Sequence, residues 1–190
     1  MIVFLLFFIG IGSLDLFAED KDVELIRKRF TVELTEPKVN NEVVKELLVT
    51  FRADSTWPGV NYEDVSNTGF QHRIHLDNMI YLSRAYKQVT SKYRGNKELK
   101  KTLDAALAFW VANDFICENW WWNQIGTPNA LISILFILDK DLSFQQIESV
   151  LPIIGRANMD ASGARPSGDR IKIAGLLAKT ALFCRDIKLV

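Results

Sequence analysis

Residues 119–123 read Asn-Trp-Trp-Trp-Asn, and no other stretch of the chain concentrates so much recognition chemistry. Indole faces stack against the apolar C–H faces of sugar rings, and the flanking amides of Asn119 and Asn123 match hydroxyl groups in both donor and acceptor character. Neighbouring residues on a regular helix point about 100° apart. Trp120, Trp121 and Trp122 therefore cannot all face one core from such a helix, and at least one is expected at a cleft or the surface. The competing reading is that all three pin a loop against the core. Trp57 lies in a second long connection. Other spacings carry less. His72 and His75 lie three apart near Asp77, but no cysteine or third histidine completes a metal set, so no metal is expected and a polar cap or cleft lining is. Gly163 to Gly168 spaces two glycines like a phosphate loop, yet Asp169 and Arg170 follow where Lys and Ser or Thr should stand.

The elements that position these residues read as helices. Leu99, Leu103, Leu107 and Trp110 recur at helical spacing behind Asn96, a candidate N-cap. Leu76, Ile80, Ser83 and Tyr86 mark a helix over about 72–90. Residues 130–138 are apolar on every side, and Thr127-Pro128 argues for a buried helix capped by Thr127 rather than a buried strand. Ser143 and Gln146 form a capping box, with Leu142 and Ile147 as its staple, for a helix ending near Gly155. Ile173 to Cys184 gives a last helix, and earlier ones are expected over 21–35 and 41–52. Phe30 to Leu34 alternates, but it continues Glu24–Arg29 without a break and is read as the end of a helix. The sum is an all-α chain of about seven helices, with long loops at 53–71 and 113–126.

Composition sets limits. The 190 residues are 48% hydrophobic and 24% charged, with 23 basic residues balanced by 23 acidic ones. That is globular composition with no net field to draw the chain to nucleic acid. The balance is uneven locally. From 150 to 190 seven basic residues (Arg156, Arg165, Arg170, Lys172, Lys179, Arg185, Lys188) meet three acidic ones, a tilt that suits either an anionic polysaccharide or a solvated face. Residues 2–12 form an apolar run with the length of a signal-peptide core, too short to span a bilayer. A signal peptide over 1–18, cleaved after Ala18, is expected, and with it export to the periplasm or the exterior without stable membrane insertion. Cys117 and Cys184 would then meet an oxidising space. Both sit in apolar contexts read as helical, so single buried thiols are expected, with a disulfide between them as the alternative.

Asn119-Trp120-Trp121-Trp122-Asn123-Gln124-Ile125-Gly126-Thr127-Pro128 resembles the N-W-W-x-x-E-I-G-x-P signature of family 8 polysaccharide lyases, the chondroitin AC, hyaluronate and xanthan lyases. Asp54-Ser55-Thr56-Trp57-Pro58-Gly59-Val60-Asn61-Tyr62 is similar to the family's D-G-S-W-x-x-(V/I)-x-Y segment, and Ala161 to Arg165 to its T-G-A-N loop. The three follow in family order from about residue 22 onward. The resemblance implies that residues 19–190 are the N-terminal part of an incomplete (α/α) toroid of paired helices, followed in the family by β-sandwich domains. It also implies β-elimination on polysaccharides containing uronic acid, without a cofactor. An Asn, a His, a Tyr and an Arg, helped by a Glu, neutralise the carboxylate, remove the C5 proton and protonate the leaving oxygen. By the same match Trp120 and Trp121 are sugar platforms with Asn119 beside them, and Trp122 and Asn123 complete the binding set.

The departures are specific. The family's catalytic His, Tyr, Arg and Glu lie beyond the third motif, and this sequence ends at Val190; His72 and His75 precede the tryptophans. No catalytic residue is therefore assigned here, and the missing C-terminal part is an expected partner alongside an acidic polysaccharide. Arg165 stands where relatives carry the carboxylate-binding Asn, and Gln124 replaces the motif's Glu. The alternative to a lyase segment is an exported glycan-binding helical module without chemistry. A chain ending after one helix of a pair should leave Leu176, Leu177 or Leu182 partly exposed.

Overall fold

The computed structural model describes the backbone of residues 11–160 and 168–186, and the side chains of 21–160 and 168–186. Seven α-helices are present among them: α1 (Ile11–Thr35), α2 (Asn41–Thr50), α3 (Arg73–Lys87), α4 (Lys97–Asn113), α5 (Thr127–Leu138), α6 (Phe144–Ile154) and α7 (Gly168–Cys184). No strand occurs among the described residues, and Phe30 to Leu34 is helical as expected. The helix anticipated over 21–35 begins at Ile11. No described helix is long and apolar enough to cross a membrane.

The chain ends its helices where its side chains can satisfy the exposed backbone groups. Asn40 Oδ1 accepts from the Glu42 N–H at the start of α2, and Asn96 Oδ1 accepts from the Leu99 N–H at the start of α4. The capping box before α6 is complete: Ser143 Oγ accepts from the Gln146 N–H at 3.2 Å, and Gln146 Oε1 accepts from the Ser143 N–H at 2.9 Å. Each is worth about 1 kcal/mol.

Helix α5 is the hub. Nearly every residue from Thr127 to Leu138 is buried, because α1, α3, α6 and α7 all pack on it. This is why its sequence shows no polar face. Arg27 on α1 closes the bundle. It is 4% exposed and donates from Nη1 to the carbonyls of Leu182 (2.9 Å) and Phe183 (2.5 Å), and from Nη2 to Asp139 Oδ1 (3.0 Å). A cation thus sits at the C-terminal end of α7, where the helix dipole favours it.

The segment 53–71 is irregular but fastened. Asp54 Oδ1 accepts from both the Thr56 N–H and its hydroxyl, and Trp57, 2% exposed, donates from Nε1 to Leu47 O at 2.9 Å. Two sequence expectations need correction here. His72 and His75 are both 0% exposed and belong to the core; His72 stands at the N-cap position of α3, but its side chain makes no cap bond. Cys117 lies in a loop rather than a helix, and Cys184, the last residue of α7, is exposed; neither is in a disulfide. Leu176 is buried, Leu182 half-buried and Leu177 39% exposed.

Candidate functional site

The segment 113–126, read from the sequence as a loop, is only partly one. Helical backbone resumes at Trp120 and runs without a break into α5 through a π-turn over Trp122–Gly126, in which the Thr127 N–H bonds to Trp122 O. Pro128 accounts for the widened turn. It has no N–H, and in an α-helix its ring would meet the carbonyl four residues back. Thr127 does not cap α5 as expected: it is inside the helix, 1% exposed, and its hydroxyl has no partner among the described residues.

The two asparagines are committed to backbone. Asn119 caps the tryptophan helix, its Oδ1 accepting from the Trp121 N–H at 3.1 Å, while its Nδ2 donates to Asn67 O at 3.2 Å. Asn123 holds both polar groups of Cys117, accepting from its N–H at 3.0 Å and donating to its carbonyl at 2.8 Å. These amides therefore shape the segment that carries the indoles. Gln124 Oε1 is buried without a partner among the described residues. Arg165 lies outside the described residues.

The three tryptophans are all half-buried against the core. Trp121 and Trp122 meet edge to face, 4.9 Å between centroids and 89° between planes. Both line a cleft of about 480 Å³ between α3, the π-turn, α5 and α7. Trp120 lies outside the lining of this cleft. Behind Trp122 stands the buried ring of Phe70, 5.7 Å away, which itself stacks on His72 at 4.7 Å. Gly126 sets how closely the indoles approach the helix. A Cβ there would fall 2.3 Å from Cε3 of Trp122 and 2.8 Å from Cζ3 of Trp121.

Three cations, Arg73, Lys172 and Lys179, line the same cleft against one carboxylate, Asp77. Burial pushes the Asp77 carboxyl above its ordinary value and the Lys179 ammonium below its own. Lys172, Gly175, Leu176 and Lys179 share one face of α7 by their spacing. The basic tilt of 150–190 is visible in the sequence, but it does not set Lys172 and Lys179 apart from its other cations. Their seven-residue spacing beside Gly175 was the available signal.

The histidines supply no base to this cleft, since neither lines it. Ala106 O can only accept, so His75 donates to it from Nε2 at 3.0 Å and takes the Tyr62 hydroxyl on Nδ1 at 3.0 Å. Tyr62 in turn accepts the Trp57 N–H at 3.2 Å. Burial lowers the His75 pKa to about 4, and that of His72 also falls for the same reason. Both are neutral structural groups at pH 7. No group of three or more His, Cys, Asp or Glu placed to hold a metal occurs among the described residues.

Residues 25–175 match the family described as polysaccharide lyase family 8, N terminal alpha-helical domain. The chain belongs to that family. Chondroitinase-AC of Pedobacter heparinus is 32% identical over 116 residues, which are 60% of this chain and 17% of that enzyme. A solved chondroitinase AC lyase, studied as enzyme–oligosaccharide complexes, superposes with a TM-score of 0.81 at 27% identity, over 88% of this chain and 25% of that one. The Paenibacillus xanthan lyase shares the fold, with a TM-score of 0.67 at 20% identity over 90% of this chain and 18% of that one. The chain thus spans about a quarter or less of the length of these relatives. The all-α bundle is part of the (α/α) toroid of family 8 lyases, as the tryptophan motif implied.

Proposed function

We propose that this chain is the substrate-holding N-terminal part of an exported lyase that cleaves uronic-acid-containing polysaccharides by β-elimination. The observation that carries this reading is the cleft itself, where Trp121 and Trp122 stand beside Arg73, Lys172 and Lys179. Indoles supply stacking area for sugar rings, and an excess of cations suits a polymer bearing one acid group per repeat. Asn119, Trp120 and Trp122–Asn123 hold or extend this surface, and Arg165 is assigned to a substrate acid group, which a guanidinium pairs more strongly than an amide does. The chemical step falls to a base and an acid supplied by sequence C-terminal to this chain. Residues 1–18 serve as the export signal.

The test is to titrate the chain with hyaluronan, chondroitin and xanthan, following tryptophan fluorescence for binding and near-ultraviolet absorbance for the unsaturated uronate that elimination forms. Binding to at least one polymer without absorbance gain is expected. No binding to any of them refutes the reading, and turnover by this chain alone refutes the division of labour. A glycan-binding module without chemistry is the second reading, favoured by one observation: both histidines are buried in the core and neither lines the cleft. Reading the gene beyond codon 190 separates the two, because only the lyase reading requires an in-frame His and Tyr there.

A further inference from the structure

Among the described cations of the cleft, Lys172 alone has its ammonium over an aromatic ring that itself lines the cleft. Its Nζ lies over the Trp121 ring, 5.4 Å from the centroid. Its other tie is to Asp169 Oδ1 at 3.5 Å, a loose ion pair between two side chains that water reaches. Lys179 is differently placed. It is half-buried, bonded to Asn129 Oδ1 at 3.0 Å and seated over the Phe30 ring at 5.3 Å, so its ammonium is committed to the protein. Arg73 stands on α3, across the cleft from α7.

A sugar ring stacked on Trp121 would lie in van der Waals contact, about 4 Å from the indole plane. An ammonium held 5.4 Å from the same ring centroid stands in its way or at its rim. The four-carbon stem of Lys172, exposed on α7 next to Gly175, leaves the ammonium free to swing aside. Apart from its chain neighbours and the backbone of its own helix, nothing lies within 4 Å of where a Cβ of residue 175 would stand, so this wall of the cleft is open to that motion.

Resting on the reading of the cleft as a polysaccharide site, we propose that Lys172 is its acid-reading residue. Its ammonium, held over the Trp121 face, transfers to the carboxylate or sulfate of the sugar ring that takes its place. A neutral sugar must displace the same ammonium and offers no acid group in return. Lys172 would therefore select charged rings both by attraction and by what it withholds from uncharged ones.

The test uses the whole chain and three probes on one backbone: an unsulfated chondroitin hexasaccharide, its carboxyl-reduced neutral form, and a sulfated chondroitin hexasaccharide. Affinities are read from tryptophan fluorescence for the unmodified chain, Lys172→Met, Lys172→Arg and Trp121→Ala. The expected result is that Lys172→Met weakens the unsulfated acidic probe about tenfold, the order of one charged hydrogen bond, and leaves the neutral probe equal or tighter. Lys172→Arg should restore most of the loss. A loss confined to the sulfated probe assigns the residue to sulfate instead of carboxylate and still supports the proposal. Equal effects on charged and neutral probes, or none, with Trp121→Ala still abolishing binding, overturn the role of Lys172 while leaving the platform intact. If the unmodified chain binds none of the probes, the cleft reading fails and this proposal fails with it.

Discussion

Replacing Gly126 by alanine tests whether the indoles are seated by the backbone of the π-turn. Gly126 has φ −63° and ψ −56°, ordinary helical values that any residue adopts, so glycine is not required by backbone strain. Helix propensity alone favours alanine by about 1 kcal/mol. The opposing term is contact. The new methyl carbon would stand 2.3 Å from Cε3 and 2.8 Å from Cζ3 of Trp122, and 2.8 Å from Cζ3 of Trp121. To recover ordinary contact Trp122 must retreat by about 1 Å, against a buried Phe70 ring that packs behind it. Overpacking of this kind costs about 1–3 kcal/mol. The net expectation is a loss of about 1 kcal/mol, or a Tm lower by about 3 °C. The functional effect should be larger than the thermal one, because the edge-to-face Trp121–Trp122 pair is what faces the cleft. Near-ultraviolet circular dichroism reads the coupling of the two indoles directly, and hexasaccharide titration reads the cleft. Loss of the coupled tryptophan signal with weaker glycan binding is expected. A variant that melts higher by the full propensity gain, with dichroism and affinity unchanged, would refute the seating argument.

Three further outcomes follow from the interior. His75, with its pKa lowered to about 4 by burial, must stay neutral in the folded chain, whereas the unfolded chain takes up its proton near 6.5. Stability is therefore full above about pH 6.5 and falls toward pH 4, by about 3 kcal/mol for this residue, with His72 acting in the same direction. Urea midpoints at about pH 5, about pH 6 and about pH 7, which span the unfolded histidine titration, check this, and a flat profile contradicts it. Asn123→Ala strips the N–H and carbonyl of buried Cys117 of both partners and should cost about 3 kcal/mol in a thermal melt, while Asn123→Asp, which keeps the acceptor but sets a carboxylate oxygen against the Cys117 carbonyl, should lose at least as much. Arg27→Met removes the bonds to Leu182, Phe183 and Asp139 and should cost about 3 kcal/mol in denaturant unfolding; a neutral result would show that α1 does not hold α7.

Much of the helical frame was legible because its punctuation is local. Asn96 and the Ser143–Gln146 box cap the helices they were read to cap, and Gly155 ends α6. Thr127-Pro128 misled because two local rules competed. Thr before Pro is the pattern of a helix start, yet the same proline is tolerated inside a continuous path once the preceding turn widens. The histidines misled for another reason. Polar residue type suggested a cap or cleft, but Tyr62 and the Ala106 carbonyl, 13 and 31 residues from His75, satisfy that ring within the core. Such partners are distant in sequence and leave no periodic trace.

By itself the sequence determined the helical class, most helix ends, the family and the segment that carries the tryptophans, since propensity, capping and motif order act over a few residues. Tertiary structure alone decided where each of those residues stands. It gave Asn119 and Asn123 backbone partners, the Trp121 N–H and Asn67 carbonyl for one and both polar groups of Cys117 for the other. It brought Trp121 and Trp122 to a cleft that leaves out Trp120, and it carried Lys172 on α7 over the Trp121 ring. The reason is geometric: α7 meets the π-turn because α7 packs on α5, the helix that the π-turn leads into, and that contact depends on how helices far apart in the chain share one buried face.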